Sequence, residues 1–155
     1  GREDTKLFTA GLLHDIGKVI LGEFVDDSIR RINGLVNDHG YSFIRAEEEV
    51  LGMNHAEVGG KMAQQWNFPQ DIRDSITYHH RPDLMEKGEN LFCWIIYLAD
   101  QVCLMAGVGG GADGLAYWGL KDVIEILKIR QKDVEMGIIE LLKDLESAKE
   151  LIEII

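Results

Sequence analysis

Proline and cysteine are nearly missing from this sequence, at two residues each in 155. So little proline leaves long stretches free to run on as helix, because few positions lack a backbone donor or clash with the preceding turn. No segment alternates polar and apolar with a clear period of two, so no sheet is expected. The two cysteines, Cys93 and Cys103, are ten residues apart in one predicted helix, roughly 15 Å along its axis. That is too far for a disulfide, and the expectation is reduced thiols in a cytoplasmic setting. Basic residues are few, 16 against 27 acids, for a net charge of −11. This balance works against binding nucleic acid or an anionic membrane through the general surface, so a phosphate-bearing ligand would have to be attracted locally. The longest apolar run, Leu91 to Gly107, falls short of a bilayer span and carries Asp100 and Gln101. No leading apolar region, internal repeat or low-complexity tract is visible. Gly1 followed at once by a helical pattern is read as a cut rather than a natural start.

What remains is one domain's worth of chain, 46% apolar, expected to be all-α. Its chemistry gathers in Leu12-Leu13-His14-Asp15-Ile16-Gly17-Lys18, an imidazole beside a carboxylate in an apolar run. Such groups are costly among Leu and Ile unless something pairs with them. Further on stand His55, the pair His79-His80, and Asp100 inside the most hydrophobic segment. Together they offer enough nitrogen and oxygen donors for one or two divalent cations.

In chain order, Leu7, Phe8, Gly11 and Leu12 recur at helical spacing, with a turn signal at Gly17 that puts His14 and Asp15 near a helix end. A short helix through Val19, Ile20 and Phe24 follows, and Asn33 to Tyr41 reads as irregular. Asn54 has the look of an N-cap with Glu57 in the capping-box position, which places His55 first in a helix whose buried stripe is Val58, Met62, Ala63 and Trp66. Asn67-Phe68-Pro69 breaks the chain. A helix carrying Ile72 and Ile76 then ends at Tyr78-His79-His80, before Arg81-Pro82. The Leu91 to Ala106 helix is apolar almost all round and is expected to be surrounded, which leaves Asp100 in need of a positive partner. Gly107 to Gly114 reads as a loop. Beyond Leu120, Val134, Ile138, Leu141, Leu145, Ala148, Ile152 and Ile155 form a heptad seam, to pack on the domain or to pair with another chain.

The blocks His14-Asp15-Ile16-Gly17-Lys18, His55-Ala56-Glu57-Val58-Gly59-Gly60, Trp66-Asn67-Phe68-Pro69, Tyr78-His79-His80-Arg81-Pro82 and Leu98-Ala99-Asp100 resemble the HD superfamily of metal-dependent phosphohydrolases. Within it they look most like the HDOD domains of bacterial signalling proteins. The resemblance runs from about Phe8 to Asp113. It implies an HD-like helical bundle, the C-terminal part of an HDOD domain, with a metal-site core over about 4–113 and C-terminal helices over 120–155. No histidine precedes His14, where the superfamily usually supplies one. Arg81-Pro82-Asp83 stands where the related HD-GYP phosphodiesterases would carry a Glu and a Gly-Tyr-Pro signature, which counts against cyclic dinucleotide hydrolysis.

The resemblance implies His14, Asp15, His55, His79, His80 and Asp100 as metal ligands. Asp15 would bridge, and Lys18 would hold a phosphate as a point charge. Fe, Mn, Zn, Ni and Co all suit imidazole and carboxylate donors. Two functions follow as expectations. The first is a metal-binding signalling module that contacts other signalling domains or proteins, with a homodimer through the C-terminal helix. The alternative is hydrolysis of a phosphomonoester or phosphodiester by a metal-activated water.

Overall fold

The structure is a computed structural model that describes residues 1–24, 26–85, 91–107 and 119–153, the side chains of residues 2, 23, 24, 26 and 150–153 excepted. The described residues form helices without strands: α1 (Arg2–Leu13), α2 (Ile16–Phe24), α3 (Asp26–His39), α4 (Phe43–Leu51), α5 (His55–Gln65), α6 (Gln70–Tyr78), α7 (Leu91–Met105), α8 (Leu120–Leu127) and α9 (Gln131–Glu153), with a 3-10 turn at Pro82–Leu84. The core lies where α1, α5, α6 and α7 meet. Ala10, Ala63, Ile72, Ile76 and Ile96 are buried there, and Leu7, Leu13, Ile16 and Phe68 pack against them.

The chain breaks that shape the site have local causes. Asn54 accepts from the Glu57 amide at 3.0 Å, and Glu57 accepts from the Asn54 amide at 3.3 Å, so the start of α5 is held by the capping box read from the sequence. Asn67 turns the chain with φ 54°, and α6 ends at Tyr78 one step before His79-His80. α5 and α2 cross at very short range. A methyl group placed on Gly17 would stand 1.9 Å from the His55 carbonyl oxygen, and one on Gly59 would stand 2.7 Å from Ile76.

Several expectations change. The irregular segment over Asn33–Tyr41 is instead the last part of α3, anchored by Ile32, Leu35 and Val36 at helical spacing, and only Gly40, φ +67°, stops it. The buried face of α5 is His55, Ala56, Gly59, Gly60 and Ala63, whereas Trp66 is 59% exposed. Small residues are needed there because α2 and α6 approach too closely for large ones. α7 buries Cys93, Ile96, Tyr97 and Val102 but is not surrounded. Leu91 and Met105 are exposed, and its other side faces α9 across an apolar groove lined by Leu98, Val134 and Ile138 among others. Of the heptad seam, Val134 is buried and Ile138, Leu141 and Leu145 are half-buried, while Ala148 is exposed. The side chains of Ile152 and Ile155 and most of the Gly107–Gly114 loop lie outside the described residues. Both cysteines are free thiols, and burial pushes the Cys93 thiol up to about 12, which makes it unreactive. Among the described residues no helix is long and apolar enough to cross a membrane.

Candidate metal centre

Three chain breaks bring the imidazoles together. His14 and Asp15 occupy the turn between α1 and α2, His55 opens α5, and His79 and His80 stand where α6 ends. One donor atom from each of Asp15, His55, His79 and His80 lies within 4.8 Å of the others. His79 and His80 are adjacent in sequence and would diverge on a continuing helix. Because the helix stops at Tyr78, their ring centroids are only 4.0 Å apart.

The carboxylate of Asp15 is the centre of the group. Its Oδ1 lies 3.3 Å from His55 Nε2 and 3.5 Å from His79 Nε2, and its Oδ2 lies 2.9 Å from Lys18 Nζ and 3.5 Å from His14 Nε2. His55 Nε2 also stands 3.0 Å from His80 Nε2. Lys18, expected to hold a phosphate, is therefore already committed to Asp15, and its ammonium also lies 5.8 Å over the Phe43 ring. Asp100 sits on α7, partly exposed, has interactions of its own, and is not one of the four donors grouped within 4.8 Å. His14 is beside the group, its ring 4.9 Å from that of His79.

Hydrogen bonds on the far side of three of the rings, His14, His55 and His79, place a proton on Nδ1. The Nδ1–H of His14 donates to the Gly11 carbonyl at 2.6 Å, and the Nδ1–H of His79 donates to the Ile76 carbonyl at 2.9 Å. A carbonyl can only accept, so both rings carry a proton on Nδ1, and the neutral His79 ring presents an Nε2 lone pair toward Asp15. The Nδ1–H of His55 donates to Glu47 Oε2 at 2.6 Å, and the same oxygen accepts from the His55 amide at 2.9 Å. Glu47 is 2% exposed. Its place in the acidic run Glu47-Glu48-Glu49 hides it in the sequence. The signal was present, because Phe43, Ala46 and Val50 flank Glu47 at helical spacing, and an acid on that face must have a buried partner.

Asp15 Oδ1 and His79 Nε2 are both buried and have no hydrogen-bond partner. The approach of His55 to Oδ1 has the distance of an attraction but not the alignment of a hydrogen bond. Two facing acceptors without a proton between them are costly, and a cation is what removes the cost. The donor set of imidazole and carboxylate, with lone pairs aimed inward and outer nitrogens fixed by carbonyls and a carboxylate, fits a divalent transition metal.

The charge states agree with this arrangement. Burial works against ionising Asp15, but the facing His55 and His79 rings, with His14 and Lys18 nearby, hold its carboxyl well below the usual range. Burial lowers His55 too, but the two carboxylates on either side of it, Asp15 and Glu47, raise it above its ordinary value. Burial pushes His79 down to about 4, and burial with the charges of His79 and His55 takes His80 far down.

These shifts have a signed consequence for the metal-free chain. Between pH 6.5 and 4 the unfolded His79 takes up a proton that the folded ring refuses, so stability falls as pH drops through that window, by roughly 3 kcal/mol for this ring when complete. His80 acts in the same direction. His55, raised when folded, contributes stability that is fully present below its unfolded value and is lost only as pH rises through its folded one. It therefore adds no further stability as pH falls from 6.5 to 4. Thermal melts in chelator are expected to show a midpoint that falls steadily from pH 6.5 to 4, and a His79→Gln variant a flatter profile.

Comparison with known proteins agrees with the fold. The sequence model of the HDOD domain matches residues 1–82. The chain is 33% identical over 78 residues to ribonuclease Y of Deinococcus radiodurans, which covers 50% of this chain and 12% of that protein. The structure superposes on an HDOD domain protein of unknown function from Geobacter sulfurreducens with a TM-score of 0.78 at 22% identity, covering 92% of this chain and 52% of that one. It superposes on a signal-transduction candidate from Marinobacter aquaeolei VT8 with a TM-score of 0.78 at 20% identity, covering 94% of this chain and 31% of that one. The chain thus spans about half or less of the proteins it resembles. With the family match covering more than half of its length and the same all-helical fold, this chain belongs to the HDOD domain family.

Proposed function

We propose that this HDOD domain is a metal-binding regulatory module in which Asp15, His55, His79 and His80 hold one divalent cation, with His14 alongside. The observation that carries this reading is the pair of buried, unpartnered acceptors, Asp15 Oδ1 and His79 Nε2, facing each other in a cluster where the outer nitrogens of His55 and His79 are already tied down. Lys18 neutralises the other Asp15 oxygen and keeps the carboxylate oriented. Glu47 fixes the tautomer and tilt of His55. In this reading the metal secures the junction of α1, α2, α5 and α6, and the module works through contacts with other signalling domains or proteins. The signal-transduction candidate of the same fold supports it.

A second reading is metal-dependent hydrolysis of a phosphomonoester or phosphodiester. The likeness of half of this chain to a segment of ribonuclease Y favours it. A divalent ion held there would polarise a phosphoryl oxygen and lower the pKa of a coordinated water. The chain's own contribution would be to keep Asp15 ionised, to hold His79 neutral by burial, and to supply the Lys18 ammonium at the edge of the cluster.

Elemental analysis of protein purified with Mn or Fe, followed by a screen of generic phosphoesters, separates the readings. The module reading expects bound metal in wild type, loss of that metal in Asp15→Ala, and no turnover above that variant. Turnover in wild type that vanishes in Asp15→Ala establishes the hydrolase. Full metal content in Asp15→Ala removes both.

A further inference from the structure

A second cavity lies behind His80. It has a volume of about 650 Å³ and lies between the start of α4, the start of α5 and the end of α6. This is within the size range of small-molecule sites. His80 forms part of its wall and is also 3.0 Å from His55 in the cluster, so the cavity and the cluster share a side chain.

The lining sorts into two zones. The deeper wall is Ile44, Asn54, Ala56, Thr77, Tyr78 and His80, none of them charged under the conditions described above. Arg45, Glu48 and Glu57, all exposed, stand at the rim. The charges near the wall are already engaged. The Arg81 guanidinium forks onto Asp83 through two bonds of 2.8 Å, Glu48 accepts from the Asn54 side chain at 2.7 Å, and Glu57 is bonded in the capping box. The Arg45 guanidinium lies flat over the Tyr41 ring at 4.0 Å. The two carboxylates at the rim outweigh Arg45, so the cavity offers nothing to a second anionic group. The Tyr78 hydroxyl, by contrast, has no hydrogen bond among the described residues, and Thr77 donates its own to the Arg73 carbonyl but keeps free lone pairs. Apolar patches interleaved with hydroxyl oxygens that keep free lone pairs suit an uncharged, hydroxyl-rich body.

We propose that this cavity seats the polyol or sugar part of a singly phosphorylated small molecule whose phosphoryl group lies at the Asp15–histidine cluster, with Tyr78 as the residue that selects for hydroxyls. The proposal rests on the metal reading above for the phosphoryl end. The cavity alone carries the statement about the body.

The test uses the full chain loaded with Mn²⁺ and two probes, inorganic phosphate and ribose 5-phosphate, measured by calorimetric titration. Ribose 5-phosphate is expected to bind about tenfold more tightly than phosphate. Tyr78→Phe, which keeps the ring, and Leu84→Trp, which narrows the exposed mouth, are expected to erase that advantage while leaving Mn²⁺ and phosphate affinities unchanged. Equal affinity for the two probes in wild type, or an advantage that survives both variants, overturns the cavity assignment while the metal reading stands. Failure of the wild type to bind Mn²⁺ overturns the metal reading and this proposal together.

Discussion

Replacing Gly17 with alanine is expected to cost about 3 kcal/mol or more, and to scatter the histidine cluster in whatever folded protein remains. The added carbon would sit 1.9 Å from the His55 carbonyl oxygen, 2.7 Å from its carbon and 3.0 Å from the Gly59 amide nitrogen. All three are backbone atoms in helix, so no side chain can rotate out of the way. The only relief is for α2 and α5 to separate, and this is the contact that sets Asp15 against His55. Gly22 is the control within the same helix. A carbon there meets nothing within 4 Å, so Gly22→Ala should be neutral or stabilising by about 0.5–1 kcal/mol, because alanine loses less backbone freedom on helix formation. Urea midpoints for the two variants should therefore move in opposite directions. A Gly17→Ala protein as stable as wild type, with metal affinity intact, would mean that the close crossing is not what builds the site.

Glu47→Ala is the second large effect. Its carboxylate is buried and accepts two hydrogen bonds from one residue, the amide and the Nδ1–H of His55. Truncation strands both donors in the interior. The loss is on the order of 3–5 kcal/mol, the range for removing one partner of a buried charged pair. It also frees the His55 ring to turn or change tautomer, so metal affinity should fall by about 10–100-fold, the usual consequence of losing the group behind a ligating histidine. Glu47→Gln keeps the shape and one acceptor, so it should be milder in stability but still weaken metal binding. Chemical denaturation with and without metal distinguishes the two losses. A variant that loses stability equally in both conditions would assign Glu47 a packing role only.

How much of this could be read from the residues depends on the range of the interaction. Short-range chemistry was legible. The Asn54–Glu57 box placed His55 at the first position of α5, and Arg81-Pro82 stopped α6 at the point where His79 and His80 can turn to one side. The all-helical fold followed from the spacing of apolar residues and the scarcity of helix breakers. Interactions between helices were harder. Gly17 reads as a turn signal in isolation, yet it lies inside α2 and serves the crossing with α5. The close approach of α2 and α6 to α5 demands Gly59 and Gly60 on the buried face rather than larger residues such as Val58 and Trp66, a preference that no single-helix periodicity encodes. Gly34 and Asn37-Asp38 look like breakers, but three apolar residues packed against α4 outweigh their low helix propensity. Asp100 depends on how far its helix is covered: an acid in an apolar run is stranded only where the helix is surrounded, and α7 leaves this one partly exposed.

The central claim is that the buried acceptors around Asp15 are arranged for a cation, and ¹⁵N spectra of the histidine rings test it most directly. On titration of the metal-free chain with Zn²⁺, the Nε2 resonances of His55, His79 and His80 should shift together and saturate at one equivalent. His55 and His79 should keep the proton on Nδ1 as the ion enters. Rings that do not respond to Zn²⁺, or that show His79 protonated on Nε2, would contradict the account.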